Sequence, residues 1–288
     1  MLTHLYSTAS LPSRVVILGG TGFIGNELSM NLKNKGIETL ILSSSSINLI
    51  KKKSGDDLVD ILREDDVLVI AAAIAPVKNI DSFQRNISIL ENIRYAIDIK
   101  NIAQLVNISS DAIYADGPLP LKECSSRAPE SLHGLMHLTR EVVFSELSFP
   151  YATIRPTLVF GKDDPHNGYG PNSFARLAIG EQDIKLFGKG EEKRDHIFVR
   201  DVAELISLMI LFKSTGELNA TTGLVTSFRD IASLLIKLSN SSSKIINTKR
   251  FGPMPHGGLR TFDNSEISKA FPSFKFTPIK DSFLEYFD

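Results

Sequence analysis

The chain has 288 residues, of which 42% are hydrophobic and 23% are charged, and its formal net charge at pH 7 is −1. This length and hydrophobic content predict one large folded α/β domain, alone or with a small appendage, and exclude extensive disorder. Because charges of both signs are interspersed, the sequence lacks the basic footprint of a protein that binds nucleic acid or a charged membrane surface.

Cysteine content and hydropathy bear on the cellular location. A single cysteine, Cys124, excludes an internal disulfide, and no run of 18 apolar residues is present to cross a membrane. The first 13 residues lack the basic start and the long apolar stretch of a signal peptide. We therefore expect a cytoplasmic protein with no membrane insertion.

The first strong pattern is a β-branched run, Arg14–Leu18, that leads through a glycine-rich turn into a helical pattern. The turn, residues 19–25, reads Gly-Gly-Thr-Gly-Phe-Ile-Gly. Glycines let backbone N–H groups approach a pyrophosphate, and the positive end of the following helix attracts it further. The pattern predicts a dinucleotide site. Its contact residues in the turn are Gly19, Gly22, Phe23, Ile24 and Gly25.

Strand-like and helical patterns alternate after the turn. Strand-like runs stand at 39–42, 67–73, 104–109 and 152–160, and helical patterns at 47–64, 82–100 and 132–148. This alternation predicts a Rossmann-type α/β fold built on a doubly wound parallel sheet. The stretch 43–67 is short for a helix, a strand and a second helix, so we expect a truncated third strand near residues 55–58.

The pattern changes after Phe160. Residues 161–171 are polar and rich in glycine and proline, which is typical of a loop. We expect residues 1–160 to form the dinucleotide-binding domain and residues 161–288 a smaller, mainly substrate-binding C-terminal region. A segment near 197–212 is expected to return to the first domain.

Six motifs, in order, resemble the extended short-chain dehydrogenase/reductase superfamily, in its NAD-dependent epimerase/dehydratase branch that acts on nucleotide sugars. They are the glycine turn, the alanines 71–73 at a strand end, Asn86 on a helix, the run 107–114 with Ser110 at the catalytic position, the strand 155–161, and the segment 186–199. Each motif alone is modest. Their order along nearly the whole chain makes the resemblance specific.

The resemblance implies an oxidoreductase or isomerase that uses NAD or NADP on a nucleotide diphosphate sugar, with polysaccharide biosynthesis as a family analogy and a homodimer as the candidate assembly. The sugar, the nucleotide and the outcome (epimerisation, dehydration or reduction) stay open. NAD enzymes place an acid at the end of the second strand and NADP enzymes often an arginine, whereas this chain has four serines, 43–46, so both cofactors stay open. Further implied cofactor contacts are Ser43, Ala71, Ala72, Ala73 and Asn86.

The residues at the proton-transfer positions depart from that family. A tyrosine there removes the hydroxyl proton, a lysine four residues later holds the ribose and lowers the tyrosine pKa, and a serine bonds the reacting oxygen. This chain has His133 and His137 at the first two positions and Ser110 at the third. A neutral imidazole is a usable base near pH 7, so we predict His133 as the base, acting through a water or a shifted substrate because histidine is shorter than tyrosine. His137 is predicted to be catalytic and to contact the ribose.

Two alternatives remain for the histidine pair. In the first, the proton relay is lost and the protein binds nucleotides or nucleotide sugars without turnover. In the second, His133, His137 and Glu141 lie on one helix face and coordinate a metal ion. Gly134 stands where the HExxH motif requires a glutamate, so the hydrolase form of this reading fails, and we predict no metal site.

The predicted substrate-binding side chains come from both halves of the chain. Arg194 would bind a diphosphate bidentately, and Asn172 matches a diphosphate contact but would equally suit a cap for a helix over 174–179. His196 is expected to be a half-buried structural side chain. The complete predicted substrate-binding set is Ser110, Asp111, Asn172, Arg194 and Arg260.

Overall fold

A computed structural model describes residues 1–287 of the chain. Within these residues the strands are β1 (Thr3–His4), β2 (Arg14–Leu18), β3 (Thr39–Leu42), β4 (Asp66–Ile70), β5 (Gln104–Ile108), β6 (Tyr151–Pro156), β7 (Leu158–Phe160), β8 (Ile184–Phe187), β9 (Lys193–Arg194), β10 (His196–Phe198), β11 (Ser214–Ala220), β12 (Thr226–Ser227), β13 (Ile245–Thr248) and β14 (Leu259–Arg260).

Helices connect most of the strands. They are α1 (Phe23–Asn34), α2 (Ser54–Ile61), α3 (Ile80–Ile99), α4 (Leu132–Phe144), α5 (Pro171–Ile179), α6 (Val199–Leu211), α7 (Phe228–Leu238), α8 (Ser265–Ala270) and α9 (Ile279–Leu284). Two short 3₁₀ helices span Asp111–Ile113 and Pro255–Gly258. None of the helices within residues 1–287 is long and apolar enough to cross a membrane.

A seven-stranded sheet in the order β1-β11-β6-β5-β4-β2-β3 forms the centre of the molecule. Its neighbouring strands are parallel except at the edge, where β1 runs antiparallel to β11. Every residue of β2, β4 and β5 is buried, because helices cover both faces of the sheet. The predicted Rossmann-type α/β fold is confirmed. The chain order reverses between β2 and β4, which is where such sheets open a ligand crevice at the carboxyl ends of their strands.

The truncated third strand expected near residues 55–58 is absent from that position, and this prediction was wrong. These residues lie in α2, and the chain then passes directly to β4 on the other side of β2. Leu58 and Leu62, four residues apart, are both buried, so the segment has a helical rather than an alternating apolar pattern. Gly55 brings α2 against α3, where its N–H donates to Asn92 Oδ1 at 3.0 Å.

The run 152–160, expected to be one strand, is divided at Thr157. Its first part, β6, lies in the main sheet, and its second part, β7, pairs in parallel with β10 outside it. Thr157 holds this division, because its N–H donates to Ala220 O and its Oγ1 donates to Asp195 Oδ1 at 2.9 Å. The chain therefore leaves the main sheet at its carboxyl edge, above the crevice.

The second half of the chain packs partly on its own core and partly on the main sheet. Helices α5, α7 and α9 share an aromatic cluster whose members include Phe160, Phe174, Phe228 and Phe283. Helix α6 instead packs with α1 on one face of the main sheet, and β11 joins that sheet beside β6. A three-stranded sheet, β12-β9-β14, carries two of the predicted substrate arginines beside each other.

Candidate functional site

The glycine turn between β2 and α1 is packed backbone against backbone. Gly19 has φ +80°, and a Cβ there would lie 2.6 Å from the backbone nitrogen of Ala72, while a Cβ on Gly25 would lie 2.3 Å from Gly19 O. Gly22 begins α1 without a side-chain cap, and the first turn of the helix carries no acidic residue. The positive end of α1 is therefore open to an anion, and a dinucleotide's pyrophosphate fits this cradle.

A slot with a volume of about 350 Å³ runs from this turn across the ends of β3 and β4. Six of the eleven predicted cofactor residues line it, namely Gly19, Gly22, Ser43, Ala71, Ala72 and Ala73. Phe23 lines a neighbouring cavity on the other side of the turn, and Gly25 acts within the turn itself. Ile24 packs against the core clusters rather than lining the slot.

Asn86 supports the slot from behind. Its Oδ1 accepts the N–H of Ile74 at 3.0 Å, and its Nδ2 donates to Ile74 O at 3.0 Å and to Ser82 O at 2.8 Å. These bonds occupy the amide, which is buried. Asn86 thus holds the segment that follows β4 and is not among the residues lining the slot.

A larger cavity, of about 930 Å³, lies next to the slot. Ile74 lines the slot and the next two residues, Ala75 and Pro76, line the cavity, so one segment after β4 forms a wall of both. The structure brings five predicted site residues together here, and they are Ser110, Asp111, His133, Arg194 and Arg260. A dinucleotide lying in the slot would extend along this wall toward the side chains of the cavity.

Helix α4 presents His133 to the cavity. Ser131 caps the helix by accepting the N–H of Gly134 at 3.1 Å. A Cβ on Gly134 would lie 2.1 Å from Ala112 O, so glycine allows the helix to contact the 3₁₀ turn that follows Ser110. Burial lowers the pKa of His133, and the Asp111 carboxylate opposes that effect. The imidazole is therefore neutral, and able to accept a proton, at pH 7.

His137 lies behind His133 rather than at the cavity surface. The two rings meet edge to face with their centroids 4.8 Å apart, and the Nδ1 atom of each ring is buried without a hydrogen-bond partner. Burial holds the pKa of His137 well below its usual range, and Arg140 and His133 lower it further. His137 is thus a neutral ring under His133, and within residues 1–287 it lines neither the slot nor the cavity.

Ser110 and Asp111 stand at the end of β5. Ser110 Oγ accepts the N–H of Ala112 at 3.1 Å, so it forms the turn as well as facing the cavity. Burial raises the pKa of Asp111, while the guanidinium of Arg260 opposes this shift. Arg260 donates to Asp111 Oδ2 at 3.3 Å, to Asp111 O at 2.9 Å and to Asp116 Oδ1 at 2.8 Å.

Arg194 also carries a carboxylate partner, Glu192, at 2.5 Å, and it donates to Pro255 O at 2.9 Å. Burial lowers the pKa of Arg194, and Glu192 opposes this effect. Each cavity arginine therefore has a carboxylate partner, and Glu192 also pairs with Arg250 at 3.1 Å. An anionic ligand has to compete with Glu192 or Asp116 for the guanidinium hydrogens.

Asn172 lies outside the cavity. Its Oδ1 accepts the N–H of Gly161 at 3.1 Å and the hydroxyl of Tyr286, and its Nδ2 donates to Asp164. Gly170 is the N-cap of α5, so Asn172 does not have the capping role either. The structure makes Asn172 a buried link between the loop after β7 and the C-terminal segment.

The hypothesis that His133, His137 and Glu141 coordinate a metal ion fails because of the position of Glu141. Arg155, which is fully buried, donates to both carboxylate oxygens of Glu141, at 2.9 and 2.6 Å. Glu141 therefore faces β6 rather than the two histidines. In the part of the chain that the structure describes, no three His, Cys, Asp or Glu side chains are grouped to hold a metal ion.

Sequence reasoning missed two cavity residues that pair across 140 positions. His256 Nδ1 lies 2.5 Å from Asp116 Oδ1, and both residues line the cavity beside Arg260. His256 has φ +52° in a loop rich in glycine and proline, which indicates only a turn when met as sequence. Only the folded chain brings this loop to the end of β5.

Two curated enzymes are similar to this chain over most of their length, and a family model matches most of the chain. The family described as NAD dependent epimerase/dehydratase matches residues 15–220. The UDP-N-acetyl-alpha-D-glucosaminuronate decarboxylase of Bacillus cytotoxicus is 25% identical over 283 residues, covering 86% of this chain and 87% of the enzyme. The UDP-glucose 4-epimerase of Mycolicibacterium smegmatis is 25% identical over 252 residues, covering 76% and 80%.

Solved structures share the fold. The UDP-glucose 4-epimerase of Thermotoga maritima, determined with UDP-glucose, has a TM-score of 0.83 at 17% identity and covers 95% of this chain and 98% of its own. A GDP-L-fucose synthetase from Naegleria fowleri bound to NADP has a TM-score of 0.82 at 16% identity and covers 99% and 94%. At these identities the likeness establishes the fold and not the reaction.

Proposed function

Because the chain belongs to the NAD-dependent epimerase/dehydratase family, we propose that it is an oxidoreductase or isomerase of nucleotide diphosphate sugars that uses NAD or NADP. The observation that carries this proposal is the continuous wall after β4, which joins the slot at the glycine turn to the cavity containing Ser110, Asp111 and His133. The curated relatives named above act on UDP-sugars, which supports the same substrate class.

The chemistry divides between the cofactor and this chain's own residues. When bound, NAD or NADP supplies a nicotinamide that accepts or returns a hydride. His133, neutral because it is buried, takes the proton of the sugar hydroxyl that is oxidised. Ser110 donates its hydroxyl hydrogen to the same oxygen after turning away from Asp111 Oδ1, which lies 3.5 Å from Ser110 Oγ.

His137 has a positioning role in this proposal. It supports the ring of His133 from below, edge to face, and its neutral state avoids repulsion when His133 accepts the proton. Its direct contact with the ribose stays a prediction. The family's lysine is absent at position 137. Its cation is not needed, because an imidazole base, unlike a tyrosine, works near pH 7 without a neighbouring charge.

The nucleotide part of the substrate is assigned to the two arginines of the β9–β14 pair. Arg194 and Arg260 face the cavity from adjacent strands, and a diphosphate would replace their contacts with Glu192 and Asp116.

A homodimer is proposed through the outer faces of α3 and α4, which expose apolar side chains. These are Tyr95, Ile99, Leu135 and Val142.

Turnover is tested by incubating the protein with NAD or NADP and a panel of UDP- and GDP-sugars while recording NMR spectra. The proposal expects a new sugar product with at least one member of the panel. Thermal unfolding of the same mixtures reports binding separately, because a ligand that binds the native state raises the unfolding temperature. Stabilisation by a nucleotide sugar without any product across the panel would favour the non-catalytic binder instead.

A further inference from the structure

The slot beside the glycine turn differs in charge from the rest of the crevice. Ser43 and Ser44, which follow β3, and Arg85 of α3 all line the slot. Among the described residues that line the slot there is no aspartate or glutamate. The slot, in which the adenosine ribose would lie, therefore carries one positive charge and hydroxyl groups, and no negative charge among its described lining residues.

Arg85 is available to a ligand. Its side chain is 47% exposed, and it forms an ion pair with Asp81 at 3.9 Å, in which the Asp81 side chain is 78% exposed. Such an exposed pair at the edge of the distance range contributes little stability, so an anion of higher charge can replace it. Arg85 also adjoins Asn86, whose amide fixes the segment after β4, so the helix position that carries Arg85 is held firmly.

The serines after β3 form a compact cluster of hydroxyl groups. Ser43 Oγ lies 2.6 Å from Ser45 Oγ and 3.1 Å from Ser46 Oγ. Hydroxyls donate to phosphate oxygens, whereas a carboxylate at this position would bond the ribose hydroxyls and repel a phosphate. The basic run Lys51–Lys53, which is nearby in sequence, does not line the slot.

We propose that this chain binds a dinucleotide bearing a 2′-phosphate, NADP(H), in preference to NAD(H), and that Arg85 together with Ser43 and Ser44 recognises that phosphate. The proposal rests on the dinucleotide site of the proposed function and selects between its two cofactors. Arg85 is a specificity residue, since the pyrophosphate cradle at the glycine turn would serve both dinucleotides equally.

The test measures dissociation constants of NADP⁺ and NAD⁺ by calorimetry at one fixed ionic strength. The unmodified chain is expected to bind NADP⁺ at least about tenfold more tightly, a difference of about 1.4 kcal/mol. Arg85→Gln should weaken NADP⁺ binding by about tenfold and leave NAD⁺ binding within about twofold. Ser43→Asp should weaken NADP⁺ further relative to NAD⁺, because a carboxylate would then face the phosphate.

Arg63→Gln is the matched control, because Arg63 is an exposed arginine that precedes β4 at the opposite edge of the sheet. It removes the same charge and should leave both dissociation constants unchanged. Tighter binding of NAD⁺, or an equal loss for both dinucleotides in Arg85→Gln, would overturn the inference while the proposed function stands. Binding of neither dinucleotide by the folded, unmodified protein would overturn both.

Discussion

His133 is the proposed base, and two opposing effects act on its pKa. Burial lowers its pKa and the Asp111 carboxylate raises it, with burial the larger effect. A histidine with a lowered pKa stays neutral to a lower pH than the usual value of about 6.5. A base of this kind works in its neutral form, so activity falls when the ring is protonated.

We predict that His133→Phe lowers kcat/KM by about 10²- to 10⁴-fold, the range expected for loss of a general base. In the unmodified chain the acid side of the profile of kcat/KM against pH should fall below about pH 6.5, because the pKa of His133 is lowered. His166→Phe is the control, since His166 is an exposed histidine that also lines the cavity. An unchanged rate and profile in His133→Phe would show that another group is the base.

His196 reports on stability rather than on catalysis. The sequence indicated a half-buried structural side chain, but the residue is buried, and its ring meets Phe228 edge to face at 5.6 Å. Burial lowers the pKa of His196 to about 4. The unfolded chain therefore binds a proton that the folded chain does not, and the stability contributed by neutral His196 is lost as the pH falls from about 6.5 toward 4.

We predict that His196→Phe reduces the loss of unfolding free energy between about pH 6.5 and 4 by on the order of 3 kcal/mol. Phenylalanine keeps the aromatic contact and carries no titrating group. Urea unfolding of both proteins at about pH 4.5 and at about pH 7.5 measures the difference. Equal acid destabilisation of the two proteins would mean that His196 is not the group responsible.

At the level of single residues, the order of the motifs predicted which side chains lie together, but it did not predict their hydrogen-bond and ion-pair partners. Ser110, Asp111 and His133 lie in one cavity because strand ends and helix starts converge at the same edge of a parallel sheet. Asn172 was misplaced because its partner Tyr286 is 114 residues away. The acidic partners of the two cavity arginines were not predicted, and they change the charge that a substrate meets.

Helix α4 and the 3₁₀ turn after β5 hold the proposed catalytic side chains, His133 and Ser110, in position. Their contact depends on Gly134, which leaves no room for a Cβ against Ala112 O. The intrinsic preference for alanine over glycine in a helix, about 1 kcal/mol, would by itself favour alanine at this position. A backbone atom at 2.1 Å cannot rotate away as a side chain can, so the steric effect prevails.

We predict that Gly134→Ala shifts α4 away from the turn, reducing kcat/KM by at least about tenfold, since small displacements of a catalytic group are costly. Gly36→Ala is a control for glycine replacement as such, because nothing lies within 4 Å of a Cβ there, although its φ of +74° adds some strain. Activity is compared with dinucleotide affinity, which should change little in Gly134→Ala. A fully active Gly134→Ala protein would contradict the assigned role of the contact.

The helices and strands were predicted well where hydrophobic runs were long, and poorly where contacts between distant segments set the ends of an element. The buried strands β2 and β4 follow from continuous apolar runs, and β5 follows from a shorter run that Asn107 interrupts. The truncated third strand was assumed from spacing, whereas the helical pattern of Leu58 and Leu62 was the better signal. The division at Thr157 depends on bonds to Asp195 and Ala220, which no local pattern contains.

At the scale of the whole molecule, the site is assembled from both halves of the chain. The first half supplies the slot, His133 and Ser110, and the second supplies Arg194 and Arg260 on the small β12-β9-β14 sheet. The division into a dinucleotide-binding domain, residues 1–160, and a substrate region after it stays a prediction, as does the cytoplasmic location. Helix α6 and β11 pack on the main sheet, so the two halves share one core.

We propose that a site with two histidines supports nucleotide-sugar turnover. The most direct test compares the unmodified chain with a His133→Tyr/His137→Lys variant, measuring product formation by NMR across the same nucleotide-sugar panel and pH range. We predict turnover by the unmodified chain, with the acid side of its pH profile below about pH 6.5 because burial lowers the pKa of His133. Turnover by the variant alone would contradict it and identify the unmodified protein as a binder.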